Sequence, residues 1–321
     1  MGYDLTEVRD GTKEITSILL ICQKTPENNY LTNMRDSRKL FTTKSTWSQI
    51  GWIMKLNEFL SQHDVFTVEE LDIFLSEKGS GKPSTRKAIL TYYRKQGRIV
   101  PVRRGLYAVV PFGSLPDSSP VDPYLLTAKI TKDAVLAYHT ALEFHGKAYS
   151  VYTRLHYLTT RRSLPVRFRS YEIRGVLVPR SLRAKGMEMF GVARHKRFGV
   201  ELRVTSLERT LVDVLDRPEL TGSWEEIWRS LESIEFFDID QVVKYVLLLE
   251  NETTAAKVGF FLEQHKETLM VDDIHLKPLR KLCPKRPHYL IGGKRRDGRL
   301  VKKWNLMVPN EILNQSWGEV L

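Results

Sequence analysis

The feature that most constrains this chain is a run of helical patterns closed by two short strand patterns, between residues 54 and 112. Leu56, Phe59 and Leu60 recur three and four apart, so 56–61 reads as a first amphipathic helix. Thr67-Val68-Glu69-Glu70 opens a second. Thr67 is placed to cap and Glu70, three residues on, to reach back, while Leu71, Phe74 and Leu75 form the apolar stripe and Gly79 ends it. A Ser-Gly-Lys-Pro link leads to a third helix from about Ser84 to Gln96, with Gly97 after it. Arg98 to Val110 then alternates as two strands turning near Arg103-Arg104-Gly105.

Three helices followed by a hairpin follow the winged helix-turn-helix plan. Taken at 100° per residue, the third helix puts Thr85, Ala88, Ile89, Tyr92 and Gln96 on one side, with Tyr93 at the edge. Lys87, Thr91 and Arg94 lie opposite, flanked by Ser84 and Arg86. An apolar inner face and a basic, hydroxyl-bearing outer face suit a recognition helix in a DNA major groove. Every surface helix has a polar outer face, so charge decides. Gly79 to Pro116 holds eight basic residues (Lys82, Arg86, Lys87, Arg94, Lys95, Arg98, Arg103, Arg104) and no acidic one, whereas solvated faces mix signs. Ser84, Arg86, Lys87, Thr91, Arg94, Arg103 and Arg104 are therefore the candidate contacts to double-stranded DNA. The whole chain carries +12, which agrees with a polyanionic partner.

Composition shifts mark the remaining divisions. Residues 1–53 lack a sustained period and are rich in Thr, Asn and Ser from Thr25 to Ser48. They read as an N-terminal extension or a start-site artefact, with Met54 a plausible translation start, or as an arm that packs through Phe41, Trp47 and Trp52. The winged helix-turn-helix spans 54–112, a Pro- and Ser-rich linker 113–123, and a C-terminal domain 124–321. In the latter, Ala134 to Phe144, Ser206 to Leu215, Ile239 to Leu249 and Thr253 to Glu267 read as helices. Val151 to Thr159, Arg167 to Arg174 and Gly199 to Val204 read as strands, and a hairpin is expected near the end with Gly292-Gly293 as its turn. The expected class is α+β: the winged helix-turn-helix, then a mixed α/β domain with helical bundle elements. Its charge is split. Lys147 to Arg197 carries thirteen basic residues against Glu172 and Glu188, while Glu208 to Glu252 carries twelve acids against four bases. The basic half could extend a DNA footprint or bind RNA; otherwise the halves partly neutralise each other as solvated surface.

Signatures of chemistry are missing from the sequence. Cys22 and Cys283 rule out a disulfide framework or an all-cysteine zinc site and suit a reducing cytoplasm. Neither a membrane span nor an export signal is read. His139 and His145 lie about 240° apart on one expected helix, so they read as packing residues rather than metal ligands. No phosphate loop, nucleophile elbow or kinase signature occurs. We expect no cofactor, no metal and no enzymatic activity. A nuclease would need Glu172, Glu201, Asp213 or Asp216 gathered in a cleft, because Mg²⁺ takes hard oxygen ligands. Asp213 and Asp216, one turn apart, read instead as partners of Arg209 and Arg217 at a helix end. An RNA-binding scaffold would need Tyr149, Tyr152, Tyr157, Phe168 or Tyr171 exposed on a sheet.

Four stretches, in this order and spacing, resemble the AbiEi-type antitoxins, the transcriptional-regulator half of bacterial abortive-infection toxin–antitoxin pairs. They are Arg103-Arg-Gly-Leu-Tyr-Ala, His139-Thr-Ala-Leu-Glu-Phe-His-Gly, Ser206-Leu-Glu-Arg-Thr-Leu-Val-Asp-Val-Leu-Asp-Arg-Pro, and Trp304-Asn-Leu-Met-Val-Pro. The resemblance covers about Met54 to Leu313. It implies a repressor of its own operon acting at operator inverted repeats, with DNA contacts at Lys87, Arg94, Arg103 and Arg104. It also implies a C-terminal antitoxin domain that counters a cognate nucleotidyltransferase-like toxin without a stable complex. The Ser206 block reads equally as a buried linchpin helix or as a functional surface.

Overall fold

A computed structural model describes residues 56–79, 81–291 and 298–314. The segment 1–53 and the Gly292-Gly293 turn lie outside them. The protein is α+β and divides into two compact units, Met1–Asp122 and Pro123–Leu321.

In the first unit α1 covers 56–61, followed by β1 (Val65–Thr67), α2 (Val68–Glu77), α3 (Pro83–Lys95), β2 (Ile99–Arg103) and β3 (Leu106–Val109). The Thr67–Glu70 capping box is present: the Glu70 N–H donates to Thr67 Oγ1 at 3.2 Å, and the Thr67 N–H to Glu70 Oε2 at 2.7 Å. Pro83 opens α3, where its missing N–H costs nothing. The two wing strands turn at Arg104-Gly105, and Gly105, at φ +82°, takes a backbone conformation that a side chain would strain. β1 was not anticipated. It completes a sheet of order β1-β3-β2 by pairing Val65–Thr67 with Leu106–Ala108, a partnership about forty residues away that local periodicity cannot show. Phe59, Phe66, Leu71, Leu75 and Ile99 form the core. The angle assignment on α3 needs one correction. Tyr93, placed at the edge, is the buried residue, its hydroxyl 3.3 Å from Asn57 Oδ1, whereas Gln96 is the exposed C-cap.

The second unit is built on a six-stranded mixed sheet. Its strands are β4 (Val135–Leu136), β5 (Arg154–Thr159), β6 (Val166–Phe168), β7 (Tyr171–Leu177), β8 (Val192–Arg197) and β9 (Val200–Thr205), in the order β6-β7-β5-β4-β9-β8. Helices α4 (Pro123–Ala128), α5 (His139–Phe144) and α6 (Arg180–Ala184) accompany them. Then α7 (Leu207–Asp216), α8 (Trp224–Glu232), α9 (Ile239–Leu249), α10 (Glu252–Gln264) and α11 (Asp273–Leu282) enclose a continuous core, and α12 (Asn310–Leu313) ends the described chain. β10 (His288–Tyr289) and β11 (Gly298–Val301) flank β12 (Leu306–Pro309), the first in parallel. Gly259 of α10 lies where a Cβ would collide with the Trp304 ring, and Trp304 is fully buried with its indole N–H donating to Glu263. The Trp304 stretch is thus a packing device.

Several expectations are corrected here. Ala134 to Phe144 is not one helix: Val135 and Leu136 are a central strand and the chain reverses at Tyr138, φ +57°, before α5. A short buried run has no period that separates strand from helix. Arg167 to Arg174 is not one strand but two, β6 and β7, broken at Arg169, φ +52°. A terminal hairpin is present, with β11 joined to β12 through Lys302–Trp304. β8, α8 and α11 are further elements without a clear sequence signal; α11 carries Pro278 inside it, a residue that argues against a helix on sequence grounds.

Candidate nucleic-acid interface

Ser84, Lys87, Thr91 and Arg94 are exposed on α3, and Arg103 and Arg104 at the wing. The Thr91 hydroxyl donates to the Lys87 carbonyl at 2.8 Å, which spends its proton within the helix and leaves an oxygen acceptor and a methyl outside. Arg86 is held differently. Its Nη1 lies 2.5 Å from Asp72 Oδ2 on α2, so this half-buried guanidinium ties the two helices of the motif together. Arg98 is also engaged: its guanidinium stacks 3.5 Å from the Phe112 ring centroid, donates to the Val110 carbonyl, and is lowered in pKa by burial. Six of the eight basic residues between Gly79 and Pro116 remain. Lys82, Lys87, Arg94, Lys95, Arg103 and Arg104 are all exposed and, among the described residues, in no ion pair. A cluster of uncompensated like charge is costly in isolation and favourable beside a polyanion.

The second unit uses its ionisable motif residues internally. Arg209 and Asp213 of α7, each almost fully buried, lie 3.4 Å apart; Arg209 also donates to the Glu188 and Phe190 carbonyls, and the Tyr245 hydroxyl donates to Asp213 at 2.7 Å. Asp216 accepts from Thr254 and Asn251. Glu172 is ringed by Arg154, Arg167 and Arg174, and Glu201 faces Arg194. Glu172 on β7 and Glu201 on β9 are separated by two intervening strands, roughly 14 Å of sheet. The four carboxylates do not form one cleft, and among the described residues no group of three His, Cys, Asp or Glu could hold a metal ion.

The His139 stretch forms a second buried network. His139 Nε2 lies 3.0 Å from Glu226 Oε1, and Nδ1 lies 3.0 Å from Glu143 Oε1 without hydrogen-bond alignment. Glu226 also accepts from the Ser150 N–H and Ser230, Glu143 accepts from the Tyr152 N–H, and the Tyr152 ring stacks on His139 at 4.1 Å. His145 is bound to the Thr205 carbonyl at 2.8 Å. Both histidines therefore pack, pinning segment 149–152 and β9. Of the five aromatics proposed as a stacking platform, Tyr157 and Phe168 are buried and Tyr149 alone is well exposed.

The fold and charge of the first unit define a winged helix-turn-helix with a basic outer face. Residues 54–110 match the family described as transcriptional regulator, AbiEi antitoxin. That match shows the family resemblance read from the sequence, on the segment holding α3 and the wing. The crystal structure of the RV2827C protein from Mycobacterium tuberculosis is similar, with a TM-score of 0.52 at 16% identity over 80% of this chain and 91% of that one. At that identity the likeness speaks for the fold. No curated protein matches. Among the described residues no helix is long and apolar enough to cross a membrane.

Proposed function

We propose that this protein is a DNA-binding autorepressor and an antitoxin, and that it acts without catalysing a reaction. The observation that carries the DNA-binding part is the set of six exposed, unpaired basic side chains on and around α3 and the wing, in the segment that matches the regulator family. Ser84, Lys87, Thr91 and Arg94 face the bases and nearby phosphates of an operator inverted repeat; Arg103 and Arg104 grip the backbone or minor groove beside it. Arg86 fixes the angle of α3 on α2 through Asp72 and donates to phosphate with its free edge. The antitoxin role rests on the family resemblance, with a nucleotidyltransferase-like toxin countered without a stable complex. A cytoplasmic location follows from that role. The nuclease alternative has lost its carboxylate cleft and the RNA alternative most of its platform.

Promoter binding by fragments tests the assignment. A 54–122 fragment should bind the protein's own promoter specifically, more weakly than the full chain if basic residues after 123 add phosphate contacts. Full specific binding by 123–321 alone would contradict the assignment.

A further inference from the structure

Two exposed surfaces of the second unit complement each other, and each stands open within one chain. The first lies at one end of the helical core, where the α8–α9 and α10–α11 connections run side by side. His265 Nε2 stands 3.1 Å from Glu232 Oε1 at one end of the two connections, and His275 Nε2 3.5 Å from Asp240 Oδ1 at the other. Between these ties Phe237, Leu269 and Val271 are buried, while Phe236 and Met270 turn outward at 66% and 71% exposure. Ile274, in the first turn of α11, is 74% exposed. Met270 holds a left-handed backbone, φ +51°, that a methionine rarely adopts. Residues 232–240 and 265–275 carry seven Asp or Glu and one Lys, so this apolar end is acidic on a chain of +12. Asp238 and Asp272 stand at the N-caps of α9 and α11, which accounts for two of the seven. Glu235 and Glu267 are exposed and, among the described residues, in no ion pair.

The second surface is the tip of the β8–β9 hairpin. Phe198 and Gly199 turn it at φ +47° and +78°, and Phe198 is 70% exposed with the Arg197 guanidinium 5.3 Å from its ring centroid. Residues 192–205 carry four Lys or Arg against Glu201 alone, and Arg194 and Lys196 among them are exposed. The tip is therefore an aromatic knob in a basic setting. We infer that the acidic, apolar end of one copy docks the basic hairpin tip of a second copy of this chain. Charge complementarity selects this occupant. The acidic end repels DNA, RNA and anionic membranes, whereas the hairpin brings an aromatic anchor among opposite charges. Two acidic ends repel each other, so the contact joins unlike surfaces. With few anchors the association is weak, at roughly micromolar dissociation constants or above, and salt weakens it further.

The test is analytical ultracentrifugation of the full chain, free of nucleic acid, from micromolar to several hundred micromolar at low and high sodium chloride. We expect the mass to rise above one chain with concentration and to fall back as salt is raised. Phe198→Asn suits the left-handed turn, as Met270→Asn suits its own backbone. Phe198→Asn, and separately the double variant Phe236→Ser with Met270→Asn, should each weaken self-association about tenfold or more. Mixed in equal amounts, the two variants should associate with each other more tightly than either does with itself, because the intact end of one meets the intact tip of the other. Both variants change exposed positions and should melt no lower than the wild type, which keeps a docking loss distinct from unfolding. A single-chain mass at every concentration, association that ignores salt, undiminished self-association of Phe198→Asn, or no gain on mixing would overturn the inference.

Discussion

Arg94 and Arg209 are both arginines inside strongly patterned helices, and the two units use them in opposite ways. In the first unit Arg94 of α3 stands exposed beside Lys87 and Lys95 over a small aromatic core. In the second, Arg209 of α7 is 1% exposed, held among Asp213, Tyr245 and the Glu188 and Phe190 carbonyls. The first unit spends its charge outward, where a partner must complete it. The second spends charge inward, where it fixes how helices meet. A count of lysines and arginines cannot separate the two, because both raise the same net charge.

The largest effect that could break this contrast is expected at the buried pair. Arg209→Ala leaves Asp213 without its cation and removes donors from the Glu188 and Phe190 carbonyls, so it should destabilise the second unit by about 3–5 kcal/mol. Chemical denaturation reads this directly. A loss below about 1 kcal/mol would place the pair among ordinary surface ion pairs and erase the distinction.

A second effect is a pH slope confined to the second unit. His156 titrates near 4 in the fold because burial and neighbouring arginines disfavour its charged form, against 6.5 when unfolded. The unfolded chain therefore takes up the proton first. Stability is intact above pH 6.5, falls as pH drops toward 4, and the loss amounts to about 3 kcal/mol at most. His156→Gln should flatten that slope in urea titrations across the same window. An unchanged slope would mean that another group titrates there.

How much could be read in advance follows the same division. The capping box at Thr67, the limits of α9 and the wing turn at Gly105 are local features, and each stands where sequence pattern puts it. The exposed side chains of α3 were legible for the same reason, a helical period with charge on one face. β1 and β4 were not, because a strand of two or three residues is defined by partners far along the chain. The roles of His139, Glu143 and Glu226 were hidden too: Glu226 lies 87 residues from His139, and the tertiary fold brings them together.

The central claim, that the first unit reads DNA through α3 and grips it through the wing, is tested most directly by titrating Lys87→Ala, Arg94→Ala and Arg103→Ala against operator and random DNA at several salt concentrations. Arg103→Ala should weaken both DNAs alike and lower the log–log salt slope by about one unit, for one lost phosphate contact. Lys87→Ala or Arg94→Ala should cost roughly 1–3 kcal/mol on the operator and little on random DNA. Equal losses on both DNAs for all three variants would reduce α3 to a backbone clamp, and unchanged binding in all three would contradict the account.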